Sequence, residues 1–147
     1  MRVVKLGIIS FIVFGILLWL FSLLIPSQVR ISRAVNIMGS KQAVYAQIGS
    51  VENWKDWNEF SQGNINVSIE TKQPSLISTH WKYGDKTVES VFRFEESANI
   101  TVVQWYFDFR LRWYPWEKFG SITFDKQFGP VMERSLNNLK KLVENSP

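Results

Sequence analysis

Residues 87–109 read TVESVFRFEESANITVVQWYFDF and contain two runs in which apolar and polar side chains alternate. In the first run, Phe92 and Phe94 fall on one side and Arg93 on the other. The second run places four large residues on one side: Val103, Trp105, Phe107 and Phe109. A period of two is typical of strands with one buried face, and the intervening SAN segment is a turn signal. This stretch therefore predicts two antiparallel strands that share an apolar face.

Three more segments continue the pattern towards the N terminus. Residues 76–83, LISTHWKY, alternate in the same way and precede a Gly84-Asp85 turn signal. Residues 65–70 alternate more weakly, and residues 28–37, QVRISRAVNI, alternate with Arg33 on the apolar side. We therefore predict five strands that form an antiparallel sheet with one buried face.

The remaining segments have helical spacing. Ser40 suits the N-cap of a helix over residues 41–49, and residues 51–60 read as a second short helix. Residues 110–118, RLRWYPWEK, are expected to form a loop, and helical spacing returns from about Phe119, with Gly129-Pro130 kinking or restarting the helix. The apolar stripe of this last helix is predicted to contain Val131, Leu136, Leu139, Leu142 and Val143. The fold class is α+β, with a curved sheet around a long C-terminal helix.

One segment near the N terminus is apolar throughout. Residues 6–25, LGIISFIVFGILLWLFSLLI, carry no charge, and at about 1.5 Å per residue they span roughly 30 Å, the thickness of a bilayer core. A cleaved signal peptide is the alternative, but the segment exceeds the usual apolar core of about 7 to 15 residues, and no small-x-small site follows it. We therefore expect an uncleaved transmembrane anchor over residues 1–26 and one soluble domain over residues 27–147.

The orientation of this anchor depends on a nearly balanced charge count. Arg2 and Lys5 precede the apolar segment, and Arg30 and Arg33 follow it. The latter two alternate with apolar residues and fit a folded strand, so they count less in the positive-inside rule. We expect the N-terminal flank on the cytoplasmic side and the soluble domain outside the cytoplasm.

The composition argues against several function classes. The chain has 17 basic and 13 acidic residues, which is too small an excess to indicate nucleic-acid binding. It has no cysteine and one histidine, so neither thiolate nor multi-histidine metal sites can form. There is no glycine-rich phosphate loop and no GxSxG motif, and we expect no cofactor.

Three stretches resemble the START/Bet v 1-like (SRPBCC) superfamily, in particular its bacterial polyketide cyclase/dehydrase-like branch. Residues 40–57, SKQAVYAQIGSVENWKDW, resemble its first helix pair with a W-x-x-W motif, here Trp54 and Trp57. Residues 99–109 resemble a late strand with an embedded tryptophan, and residues 128–144 resemble its closing helix. The resemblance implies a helix-grip fold whose cavity binds hydrophobic ligands, with catalysis in only some members. This chain departs from the pattern in having five predicted strands instead of six or seven, and in its anchor.

The large side chains of the buried face are candidates for a ligand site. Such sites are mostly apolar with a few polar groups, here Tyr83 and Ser90. The candidate ligand-binding residues are Trp54, Trp57, Trp81, Tyr83, Ser90, Phe92, Phe94, Trp105 and Phe107. The alternative is a filled hydrophobic core, in which Trp54 and Trp57 pack the helices onto the sheet. Contact of these two tryptophans with the bilayer surface is a third hypothesis.

The predicted loop combines cations with aromatic rings. Its candidate contacts to a lipid headgroup or to the membrane interface are Arg110, Arg112, Trp113 and Trp116. The alternative is a solvated loop whose cations stack on its own rings.

No catalytic residue is predicted. His80, the one side chain that titrates near neutrality unperturbed, alternates with the apolar positions and should face solvent, as should Glu89 and Asp108. We therefore predict membrane-anchored, non-catalytic binding of a hydrophobic small molecule or lipid. The alternatives are a polyketide cyclase-like enzyme with an apolar substrate and a protein-interaction module with a filled core. A protein partner is unknown.

Overall fold

The computed structural model describes residues 2–63, 66–83 and 86–145, apart from the side chains of Tyr83 and Lys86. The predicted Gly84-Asp85 turn lies outside this range. The helices are α1 (Arg2–Leu24), α2 (Lys41–Ile48), α3 (Pro115–Ser121) and α4 (Phe124–Glu144), with two 3-10 helices, Val51–Asp56 and Glu59–Gln62. The strands are β1 (Gln28–Met38), β2 (Asn66–Gln73), β3 (Leu76–Tyr83), β4 (Lys86–Ser97) and β5 (Ile100–Arg110).

The chain divides into two compact units. One unit comprises residues up to Val29 together with Arg110–Thr123, and therefore contains α1 and α3. The other comprises Arg30–Phe109 and the residues from Phe124 onwards, and it contains the sheet, α2 and α4. We describe each unit by itself.

The second unit is built on the predicted curved, antiparallel, five-stranded sheet. Its strand order is β1-β5-β4-β3-β2, so β2 to β5 form a meander and β1 pairs with the last strand. Residues Thr79 and Ser90 face each other across β3 and β4, and Phe92 faces Trp105 across β4 and β5. This register brings the alternating apolar side chains of three strands onto one face, here called the inner face.

The first helix of this unit begins as predicted. Ser40 has extended backbone dihedral angles, and its hydroxyl accepts a hydrogen bond from the backbone N–H of Ala43 at 3.3 Å. The predicted second helix is instead two 3-10 helices, and Asn58 caps the second of them by accepting from the N–H of Phe60. The side-chain oxygen of Asn58 favours an interruption between the two helices, because it gives the backbone N–H of Phe60 a partner outside the α-helical pattern.

The long C-terminal helix α4 packs on the inner face through a stripe that differs slightly from the predicted one. Its buried apolar residues are Met132, Leu136, Leu139 and Val143. Val131 and Leu142, which the spacing placed on the stripe, are only half-buried. Gly129-Pro130 does not restart the helix, because α4 already begins at Phe124 and has Pro130 inside it. Packing of the stripe outweighs the one backbone hydrogen bond that proline cannot donate.

Arg33 explains the glycine in α4. It lies on the inner side of β1, and its Nη2 donates to Asp125 Oδ1 of α4 at 2.9 Å. A Cβ atom on Gly129 would come within 2.1 Å of the same Nη2 atom. The guanidinium group therefore occupies the space next to Gly129. Arg33, which the sequence placed among apolar residues of β1, forms a hydrogen bond to α4.

In the first unit, α1 has the length and composition of a membrane-spanning helix. It is the one helix of the described ranges that meets both criteria, with a hydropathy of 2.6 over its most apolar window and few buried residues. A signal sequence would meet the same criteria. The predicted loop at residues 110–118 is partly helical, because Pro115 at the first turn starts α3.

Candidate functional site

The candidate site is a cluster of aromatic rings on the inner face. Trp105 lies at its centre, with its ring stacked on Phe92 at a centroid distance of 4.8 Å and an interplanar angle of 20°. Phe107 and Trp81 meet with centroids 5.1 Å apart in an edge-to-face geometry. The rings of the cluster belong to Trp54, Trp57, Trp81, Phe92, Trp105 and Phe107. The structure therefore brings six of the nine predicted ligand-binding residues into direct contact.

The other three predicted residues have different surroundings. Ser90 is buried beneath the cluster and bonds to Trp105. Phe94 lies on the same face, but its ring contacts Tyr45 of α2 at 5.6 Å. Tyr83 ends β3, and its side chain lies outside the described part of the structure.

Buried hydroxyl groups orient two of the indole rings. Trp105 Nε1 donates to Ser90 Oγ at 2.6 Å, and Trp81 Nε1 donates to Thr79 Oγ1 at 2.9 Å. The Thr79 hydroxyl in turn donates to the carbonyl oxygen of Ser90 at 3.1 Å. Because each of these indole N–H groups has an acceptor, hydrogen bonds offset the cost of burying them and fix the orientation of both rings.

Trp54 and Trp57 differ in how their N–H groups are satisfied. Trp54 Nε1 donates to the carbonyl oxygen of Ile48 at 2.8 Å. Trp57 Nε1 and Asn58 Nδ2, which belong to neighbouring residues, are both buried and have no hydrogen-bond partner among the described residues. A buried donor without a partner costs about 1 to 3 kcal/mol.

The segment that carries these two donors is held to α4. The backbone N–H of Glu59 donates to Ser135 Oγ at 3.0 Å, and Arg134 Nε donates to the Glu59 carboxylate at 2.9 Å. Glu59, which directly follows Asn58 in the chain, is therefore bonded to the C-terminal helix through both its backbone and its side chain.

Three residues of this site, Phe60, Phe128 and Asn58, are not among the ligand-binding residues predicted from the sequence. Phe60 contacts Trp81, Trp105 and Phe107 with centroid distances of 5.6 to 5.8 Å. Phe128 of α4 stacks on Phe60 at 6.1 Å. Phe128 precedes Met132 and Leu136 at four-residue spacing, which would have placed it on the stripe, and Asn58 precedes a short helix as a cap. The unpaired Asn58 amide had no signal in the sequence.

A surface cleft lies at the N-terminal end of α2. It has a volume of about 650 Å³, within the range of small-molecule sites. Its lining includes Lys41, Lys72 and Glu96, and Tyr45 forms part of its wall. The Tyr45 ring contacts Phe94, which is buried on the inner face, with centroids 5.6 Å apart.

The candidate acid–base groups lie on the opposite, outer face of the sheet, as predicted. Glu89 pairs with both His80 and Asp108 across the strands. Asp108 accepts two hydrogen bonds from Arg30 at 2.7 Å each, and this carboxylate raises the pKa of Arg30. None of these groups is on the face that carries the rings.

The residues predicted to contact a headgroup or the membrane interface lie in the first unit. Arg110, Arg112, Trp113 and Trp116 are all exposed. The Trp116 ring stacks on Tyr114 with centroids 4.8 Å apart. Within the described ranges, no cation–π pair links Arg110 or Arg112 to these rings. Over the same ranges, no group of three or more metal-ligating side chains is present.

Comparison with known proteins shows the fold. No protein-family model matches the sequence, and no curated protein matches it. Among solved structures, CalU16 from Micromonospora echinospora is 16% identical with a TM-score of 0.61, covering 80% of this chain and 76% of its own. DynU16, from the dynemicin biosynthetic locus, is 12% identical with a TM-score of 0.60, covering 82% of this chain and 48% of its own. The Aha1 dimer from Colwellia psychrerythraea is 16% identical with a TM-score of 0.57, covering 80% and 97%. These similarities indicate a helix-grip fold.

Proposed function

We propose that this protein is a membrane-anchored receptor that binds a hydrophobic small molecule or lipid among the rings of the inner face, without catalysis. The observation that carries the proposal is that Trp57 Nε1 and Asn58 Nδ2 are buried donors without partners among the described residues. An apolar ligand that carries an acceptor oxygen would gain from burial at about 25 cal/mol per Å² and would give a partner to one of these donors. Binding without catalysis is favoured because His80, Glu89 and Asp108 face away from the rings.

In this proposal, the ligand enters through the surface cleft at the N-terminal end of α2. In the proposal, Tyr45 rotates away from Phe94, and the apolar end of the ligand enters between sheet and helix. The cations of Lys41 and Lys72 then remain beside the polar end of the ligand. This arrangement favours an amphiphilic molecule such as a lipid over a wholly apolar one.

The binding proposal is tested on the full chain in detergent by native mass spectrometry after incubation with a bacterial lipid extract. We expect a bound lipid, and about tenfold weaker retention of it by the Trp57→Phe variant, because this change removes an N–H donor. Trp54→Phe is the matched control, since its N–H already has Ile48 as a partner. Absence of any adduct, or equal losses in the two variants, would contradict the proposal.

The anchoring proposal places α1 across the bilayer and residues 27–147 outside the cytoplasm. Because the chain has no cysteine, a single introduced thiol can report on its location. A Lys126→Cys variant should react with a membrane-impermeant maleimide on intact cells. Reaction only after the cells are lysed would place the domain on the other side.

A second candidate function is a protein-interaction module with a filled interior. The close contacts between rings favour it, for example the 5.7 Å between the centroids of Trp54 and Trp57. This candidate predicts a stoichiometric protein complex in light-scattering measurements on the solubilised full chain, together with no lipid adduct.

A further inference from the structure

The segment that begins at Arg110, the last residue of β5, exposes several large apolar side chains in a short length of chain. Trp113 is 65% exposed, Trp116 is 69% exposed and Ile122 is 65% exposed. Arg110 and Arg112 in the same segment are also exposed. Large apolar side chains that remain in water forgo the stabilisation of burial, so a group of them indicates a surface that another phase covers.

Contacts within the first unit connect this segment to the end of α1. The backbone N–H of Leu111 donates to the carbonyl oxygen of Ser27 at 2.8 Å. Lys118 is buried, and its Nζ donates to the carbonyl oxygen of Ile25 at 3.0 Å. The last carbonyl groups of a helix lack partners within the helix, and a lysine there also interacts favourably with the helix dipole.

These contacts determine the depth of the segment if α1 spans a bilayer. The apolar part of α1 is as long as the hydrocarbon core is thick, so its end at Leu24 coincides with the boundary between hydrocarbon and headgroups. A segment that bonds to Ile25 and Ser27 must then lie at the same level. Tryptophan is enriched at this level because the indole combines an apolar ring with an N–H donor.

We infer that residues 110–123, here called the interfacial segment, form a lipid-binding surface in the headgroup layer of the bilayer that α1 spans. This inference rests on the anchoring proposed above. Trp113, Trp116 and Ile122 enter the boundary of the acyl chains. Arg110 and Arg112 bind lipid phosphate groups, which favours anionic lipids. The buried Lys118 links the segment to the anchor.

The depth is tested with nitroxide labels on single-cysteine variants of the full chain in phosphatidylcholine vesicles with one quarter phosphatidylglycerol. Ile122→Cys places the label on the segment, and Phe14→Cys places it in the middle of α1. Both positions are exposed, so the labels leave the packing intact. We expect the label at 122 to be protected from a water-soluble relaxation agent relative to free label in water, but less than the label at 14.

The outcomes separate the two proposals. A label at 122 as accessible as free label, with the label at 14 protected, would overturn the interfacial segment and leave the anchor intact. Accessible labels at both positions would refute the anchor, and the inference with it.

Lipid preference provides a second test. In mixed nanodiscs of the same two lipids, Arg110→Gln and Arg112→Gln should each lower retention of phosphatidylglycerol about fivefold in native mass spectrometry. Lys126→Gln on α4 is the control, since it removes the same charge from an exposed residue outside the segment. An equal loss in the control would mean that net charge alone attracts the lipid, and would overturn the role of the two arginines.

Discussion

Ser90 shows how one small polar residue supports a cluster of large rings. Its hydroxyl is fully buried and accepts the N–H of Trp105, the ring at the centre of the cluster. A large apolar side chain at position 90 would leave the indole N–H of Trp105 without an acceptor. The sequence marked Ser90 as a polar group of a ligand site, and the structure gives it a partner within the protein.

Ser90→Ala is therefore expected to lower the free energy of unfolding by about 1 to 3 kcal/mol, because the Trp105 N–H stays buried without a partner. Urea titrations of the full chain in detergent, followed by near-ultraviolet circular dichroism, measure this change. Ser32→Ala is the control, since Ser32 accepts from Gln104 at an exposed site. Equal effects of the two variants would contradict the role assigned to Ser90.

Ala98 occupies a backbone conformation that suits glycine. It follows β4 in the turn to β5 with a φ of 53°, the left-handed region that costs an L-residue about 1 to 2 kcal/mol. A two-residue hairpin with positive φ at its first central position favours glycine there.

Ala98→Gly should raise the free energy of unfolding by about 0.5 to 1 kcal/mol, the relief of strain less the entropy that glycine loses on folding. Ala98→Val should lower it, because a β-branched side chain fits this region poorly. The same urea titrations measure both variants, and a loss of stability in the glycine variant would show that the turn carries no strain.

Among the elements, β1 and α4 are joined by an unusual combination of a half-buried arginine and a glycine. Arg33 bonds to Asp125 and fills the space beside Gly129. The ion pair is partly exposed, and such pairs contribute about 0 to 1 kcal/mol. A Cβ atom at position 129 would require the guanidinium group of Arg33 to move.

A double-mutant cycle tests this coupling. In the Arg33→Ala background, Gly129→Ala should stabilise the protein by about 1 kcal/mol, the difference in helix propensity. In the unaltered background the gain should be offset, since the new Cβ displaces the guanidinium from Asp125. Unfolding free energies of the four proteins check this, and additive effects would refute the close approach.

For the sheet unit taken as a whole, the open sheet has two edge strands, β1 and β2. The register shifts between Ile69 and Thr71, which indicates a bulge at Glu70 in β2. Bulges and charges on an edge discourage pairing with another chain. The inner strands β3, β4 and β5 have neighbours on both sides, and β4 and β5 carry most of the aromatic core.

Hydrogen exchange should follow this arrangement. Amides of β4 and β5 should exchange slowest, because their release requires opening of the core, and amides of β2 should be the fastest of the sheet. Mass spectrometry of peptides from the exchanged full chain measures the order. Exchange of β2 as slow as that of β4 would contradict it.

The sequence by itself determined which side chains share a face of the sheet, where α2 begins and which segment is long and apolar enough for a membrane. These properties follow from local periodicity and from single residues such as Ser40, so they are readable without the fold. The tertiary structure decided that the rings contact one another, that Arg33 meets Asp125, that Trp57 and Asn58 keep unpaired donors, and that Lys118 reaches Ile25. Each of these depends on which residues from distant parts of the chain lie close to one another. Strand register and helix placement decide this, and no local pattern encodes them.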